Sequence, residues 1–283
     1  MEKPIKSIIA ATNLGTHGND AVKRAALLAH AHGLGSIRAL HVIDKGWRSA
    51  SGPDEDAHHR LVDLAARIRH EHGLGVLPRT RKGRTLDVLA AESAHCDLLV
   101  MGASSGRGIR DLLLGSTAER LLATTKSSIL AVRKPPRGAY RRVLVALDFS
   151  SFDETVLAAA RAVAPEARFH LMHVFDTTFE GKMRYAGVGP ETIQDYRSMS
   201  RELAMREMVA ATDHLPERPP AVLIPGPIAS NVVSQARSSN ADLIVVGHPR
   251  RSWLSSLLVP RIAARVLAGA QGDVLAVHGT AVD

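Results

Sequence analysis

Short runs of aliphatic and β-branched residues alternate along this chain with stretches whose apolar positions recur every three to four residues. The short runs are 7–11, 37–43, 76–82, 98–101 and 129–133, then 142–147, 168–175, 221–225, 243–246 and 274–277. Helical spacing fills the gaps at 19–31, 54–71, 85–94 and 117–125, then 152–163, 191–212, 228–237 and 261–267. In the first of these, Ala21, Ala25, Leu28 and His32 form one stripe. Strands alternating with helices of this length predict βαβ units and a mostly parallel sheet covered on both faces.

The pattern occurs twice. From Asp97 to Val132, adding 145 reaches a matching residue without a gap. Asp97-Leu98 meets Asp242-Leu243, Gly102 meets Gly247, Arg120 meets Arg265, and Leu130-Ala131-Val132 meets Leu275-Ala276-Val277. Between the copies, Lys134-Pro135-Pro136-Arg137-Gly138 reads as a stiff linker. It divides the chain into domains at 1–137 and 138–283. The stretch 179–190, with three glycines, reads as a mobile flap or partner-contact loop.

Composition narrows the classes. No apolar run approaches the ~20 residues of a membrane span. The N-terminus leads straight into a strand, with no signal peptide. Cys96 is the only cysteine and reads as a small buried side chain. A cytoplasmic protein without a membrane partner is expected. The net charge of +8 lies entirely in the first half: residues 1–138 carry 21 Lys+Arg against 13 Asp+Glu, and residues 139–283 carry 15 of each. The basic cluster Arg79, Arg81, Lys82 and Arg84 lacks interleaved aromatics, which argues against nucleic acid. His30 and His32, like His70 and His72, are two apart and make poor metal co-ligands.

The copies differ where chemistry is carried. After the fourth strand the first copy reads Gly102-Ala103-Ser104-Ser105-Gly106-Arg107-Gly108, and later Gly115-Ser116-Thr117. Glycines let a backbone approach a ligand and present its N–H groups. Ser116 and Glu119 have capping-box spacing, so a helix start is expected at Ser116, a natural seat for a phosphate. The second copy reads Gly247-His248-Pro249-Arg250 and Pro260-Arg261-Ile262, a degenerate loop in which Pro260 has no N–H. Arg250 and Arg261 stand where phosphate contacts would be, and a guanidinium is expected to fill that space. His41 and His173 occupy one position in both copies and read as structural.

These residues resemble a tandem universal stress protein of the UspA family. Gly102 and Gly115-Ser116 match that family's glycine signature, thirteen positions apart, and Leu40-His41-Val42 and Met172-His173-Val174 match its second strand. The resemblance implies two doubly wound α/β domains, each a five-stranded parallel sheet of order 3-2-1-4-5 with helices on both faces. It implies a ligand at the carboxyl ends of the strands. It further implies ATP or AMP, with or without magnesium, held in the N-terminal domain by Thr12, Asn13, Val42, Gly102, Ser105, Gly106, Gly108, Gly115, Ser116 and Thr117, and a role in stress response. The halves would pair as an internal pseudo-dimer through their fifth strands, with a further homodimer. This chain departs from the pattern at Ser105, where the family has glycine, and at Asn13, where it has aspartate; Asp148 keeps the aspartate in the second half.

Two other readings compete. A nucleotide-free interaction module of the same family would use the fold for dimerisation alone. A serine hydrolase would use Ser104 within Gly102-Ala103-Ser104-Ser105-Gly106, with Asp242 and His278 as partners. No dedicated catalytic residue emerges from the sequence. Slow hydrolysis of a held triphosphate is compatible with the nucleotide reading.

Overall fold

The computed structural model describes residues 5–43, 54–103, 115–175, 177–215, 218–250 and 259–280. The first repeat runs β1 (Ile8–Ala11), α1 (Thr16–Ala31), β2 (Ser36–Ile43), α2 (Asp54–His72), β3 (Gly75–Lys82), α3 (Thr85–Ser93), β4 (Leu98–Gly102), α4 (Gly115–Thr124) and β5 (Ser128–Val132). The second runs β6 (Arg142–Ala146), α5 (Asp153–Val163), β7 (Arg168–Phe175), α6 (Thr178–Tyr185), α7 (Pro190–Thr212), β8 (Ala221–Pro225), α8 (Ile228–Ser238), β9 (Leu243–Arg250), α9 (Val259–Gly269) and β10 (Asp273–Thr280).

All ten strands form one sheet, ordered β3-β2-β1-β4-β5-β10-β9-β6-β7-β8. Within each repeat the order is 3-2-1-4-5 and every pairing is parallel. Among the described residues one antiparallel strand pair, β5 with β10, joins the repeats, with Leu275 opposite Leu130. The first repeat's carboxyl strand ends therefore share an edge of the sheet with the second repeat's amino ends.

Strand alternation sends successive residues to opposite faces. Ile8, Ala10, Val143 and Val145 join one core with α1, α2 and α5, while Ile9, Ala11, Leu144 and Ile244 join the other with α3, α4, α8 and α9. Alanines 21, 25, 26 and 29 of α1 are fully buried and let that helix lie close to the sheet. The repeated aspartates start the first strand of each half. Asp97 Oδ2 accepts from the Lys6 and Ser7 amides at 2.9 and 3.0 Å, and Asp242 Oδ2 accepts from the Arg141 and Arg142 amides at the same distances.

Two expectations need correction. The stretch 179–190 is mostly helix: it forms most of α6, a four-residue connection at 186–189 and the first residue of α7. Gly181 sits inside α6, Gly187 ends it in the left-handed region (φ +74°), and Pro190 begins α7, a position that needs no N–H. Arg197 Nε and Nη2 grip Glu180 at 2.8 and 2.6 Å, binding the two helices together. Second, the degenerate loop at 247–250 is strand. β9 and β10 run parallel out to Arg250 opposite Thr280. The neighbouring β6 stops pairing at Val246, so Pro249 lies on a locally open edge, where a missing N–H is tolerated.

Candidate functional site

At the carboxyl edge of the first repeat, β1 gives way to Thr12, Asn13 and Leu14. The Thr12 amide donates to Leu40 O at 2.8 Å, carrying the β1–β2 pairing one residue further. Its hydroxyl accepts from the Leu14 amide at 2.9 Å, and Asn13 Oδ1 accepts from Gly15 at 3.1 Å. These short side-chain turns hold Leu14 at φ +61° and lead into α1. Asn13 Nδ2 has no hydrogen-bond partner among the described residues, which leaves one amide donor open at this edge.

Gly102 closes β4 against the first turn of α1. A Cβ there would press on the His17 carbonyl, 2.8 Å from its carbon and 3.1 Å from the Gly18 amide. A Cβ at Gly18 would fall 2.5 Å from both Thr12 Oγ1 and Asn13 Oδ1. The smallness of Gly102 therefore serves helix-on-strand packing, in addition to the ligand approach expected from the sequence. Gly247 does the same in the second repeat, where a Cβ would meet Val156 and Phe152 side chains at 3.2 and 3.3 Å.

His41 and His173 have one structural job. Each Nδ1 faces the carbonyl that ends the neighbouring strand, Thr12 O and Leu147 O, at 2.9 Å. A carbonyl only accepts, so Nδ1 carries the proton. Burial lowers both pKa values, which keeps the rings neutral.

The second repeat has refitted the same edge. Asp148 Oδ1 accepts from Ser150 at 3.1 Å, as Asn13 does from Gly15. Phe149, at φ +59°, lies flat on the His173 ring with centroids 4.0 Å apart. Where the first repeat uses the Thr12 hydroxyl beside Gly18, the second uses Leu147 beside Asp153. The Asp153 carboxylate accepts from the Phe149 amide at 2.8 Å. Burial, then the nearby Asp148 carboxylate, pushes the Asp153 carboxyl up to about 7. This exchange pairs two positions that no single-copy motif marks. Aligning Gly18 with Asp153 across the repeats would have exposed it.

A raised folded pKa has a definite sign. An unfolded aspartate titrates near 3.9. Between that value and about 7 the folded state holds the extra proton, so stability falls as pH rises through this window and is level above it. Asp148→Asn removes one cause of the shift and keeps the turn. Thermal melts from pH 5 to 8 should then show a shallower decline than in the parent protein; an unchanged slope would refute the pairing.

Val42, half-buried near the end of β2, shares the carboxyl edge with Thr12, Asn13 and Gly102. Ser104, Ser105, Gly106 and Gly108 lie outside the described residues. The helix backbone begins at Gly115, one residue before the expected start at Ser116, and includes Thr117. Three residues separate α4 from β5, so α4 ends at the amino edge. Its first turn stands about 15 Å back, towards the carboxyl edge. The side chains of Ser116, Thr117, Arg250 and Arg261 are outside the described set. The hydrolase trio is not assembled. Asp242 precedes β9 and His278 lies level with His248 on β10, about 20 Å further along the sheet. His248 points into the joint between repeats, its Nε2 3.0 Å from Leu122 O.

A sequence model described as the Universal stress protein family matches residues 4–133 and again 139–278. The chain belongs to the universal stress protein family. A universal stress protein of Methanocaldococcus jannaschii is 24% identical over 148 residues, covering 48% of this chain and 86% of that one. Solved structures extend the likeness to both repeats. A functionally unknown protein from Pseudomonas aeruginosa superimposes with a TM-score of 0.69 at 20% identity, over 97% of this chain and 92% of its own. A universal stress protein from Archaeoglobus fulgidus gives 0.66 at 18% identity, over 97% and 96%. At these identities the shared property is the fold. Among the described residues no helix is long and apolar enough to cross a membrane.

Proposed function

We propose that this universal stress protein binds one adenine nucleotide, ATP or AMP, in its first repeat, and that its role is in stress tolerance. The observation that carries the reading is the contrast between the two helix starts after the fourth strands. The first four amides of a helix have no partner within it, and together they carry about half a positive charge. At the start of α4 three of them belong to Gly115-Ser116-Thr117, beyond a glycine-rich segment. At the start of α9, Pro260 lacks one of them.

In this reading Thr12, Asn13 and Val42 face the nucleoside, with Asn13 Nδ2 the free donor. Gly115, Ser116 and Thr117 face the phosphates, helped by Ser105, Gly106 and Gly108. Gly102 supports the pocket by seating α1. In the second repeat the Phe149–His173 stack stands in the place of the nucleoside side. That half, residues 138–283, then works as the packing partner of residues 1–137. The β5–β10 pair is the seam of an internal pseudo-dimer, and a homodimer adds a second level.

The test begins with protein as purified. Denaturation should release adenine nucleotide into the supernatant, or nucleotide added before desalting should be retained. Gly115→Arg places a guanidinium where the phosphates would sit and should reduce retention at least tenfold with an unchanged melting curve. Equal retention in the variant would contradict the assignment.

A further inference from the structure

The seam between the repeats holds a cleft of 710 Å³ that the nucleotide reading does not use. Its floor is buried and ordered. The Arg24 guanidinium lies 4.0 Å over the Tyr140 ring and donates to Gly138 O at 2.6 Å, while Tyr140 donates to Asp273 at 2.7 Å. Lys134, Arg137, Arg141, Arg142 and Arg237 line the remainder. With Arg24, six cations face two carboxylates.

Both carboxylates are already engaged. Asp273 accepts from Tyr140 and from the Arg133 and Lys134 amides. Asp242 accepts from the Arg141 and Arg142 amides. Arg142 comes within 4.0 Å of Asp242. Lys134, Arg137, Arg141 and Arg237 are exposed and have no ion-pair partner among the described residues. The carboxyl end of α8 borders the cleft, but its partial charge of about half a unit does not offset four unpaired cations.

Scattered surface cations are simply hydrated. A concave wall changes that, because low-dielectric sides focus the field of several like charges into one volume. The volume lies within the range of small-ligand clefts. Arginine forks match phosphate oxygens in pairs. No aromatic face is offered for base stacking, since Tyr140 is buried beneath Arg24. We propose that this cleft binds a small anion bearing several phosphate groups, as a second site separate from the edge formed by Thr12, Asn13 and Gly102. Its position beside the linker means that an occupant would bridge Lys134 and Arg137 of the linker, and Arg141 just before β6, to Arg237 of α8, bracing the seam.

Calorimetric titration of the full chain with inorganic triphosphate tests this. At 50 mM salt a Kd below 1 mM is expected, weakened several-fold at 300 mM. Triphosphate should still bind in Gly115→Arg, which removes only the proposed nucleotide seat, and in that background the double variant Arg141→Glu with Arg237→Glu should weaken binding at least tenfold. Should the charge-reversed protein fail to fold, Arg141→Gln with Arg237→Gln should still weaken binding several-fold. Absence of heat at 1 mM, binding retained in the charge variants, or binding lost in Gly115→Arg would each overturn the proposal. So would a single-stranded oligonucleotide that binds more tightly than triphosphate and is lost in the same variants.

Discussion

Gly102→Val should lower the melting temperature of nucleotide-free protein by roughly 6–12 °C, corresponding to about 3 kcal/mol. The added carbons meet backbone: the His17 carbonyl carbon at 2.8 Å and the Gly18 amide at 3.1 Å from the first of them. Backbone in the first turn of α1 cannot swing aside without breaking the Thr12 and Asn13 turns. The matched change Gly247→Val meets Val156 and Phe152 side chains, which have some freedom to move, and should cost about 1 kcal/mol. Thermal melts of both variants without ligand separate packing from binding. If Gly102→Val melted like the parent and lost only nucleotide, Gly102 would be a ligand contact and the packing account would be wrong.

Asp273→Ala should be the most damaging change at the seam, costing about 3–5 kcal/mol. Asp273 is 3% exposed and holds the Tyr140 hydroxyl, the Arg133 and Lys134 amides and the Arg24 guanidinium at 3.7 Å. Its removal leaves Arg24 buried beside an aromatic ring with no counter-charge. Tyr140→Phe removes one donor and leaves the ion pair, so about 1 kcal/mol is expected. Urea unfolding followed by fluorescence and by circular dichroism measures both. Equal, small losses in the two variants would contradict a charge-centred seam.

The strand–helix rhythm gave βαβ units and a mostly parallel sheet because alternation and helical spacing are local signals, whereas the order 3-2-1-4-5 within each repeat came from the family resemblance alone. Fusion of ten strands was legible only in part: Ile129–Arg133 and Val274–Val277 looked apolar enough to pair. The seam's polar cluster was not, since Arg24, Tyr140 and Asp273 are far apart in sequence and none belongs to a motif. The extension of β9 through Pro249 was hidden by a rule that holds for central strands, whereas this stretch is locally an edge. Residues 179–190 misled for a related reason: three glycines read as a flexible loop, yet two of them end and begin helices. Gly102 carried the family signature and was read for its ligand. Its first constraint is a helix turn that only the folded chain brings alongside.

The central claim is that one repeat binds and the other packs. Titration of the full chain with AMP in 0.3 M salt, which screens the cationic seam, measures this directly. The account predicts a single site per chain, abolished by Gly115→Arg and untouched by Phe149→Ala. Two equal sites, or no binding at millimolar AMP, would contradict it.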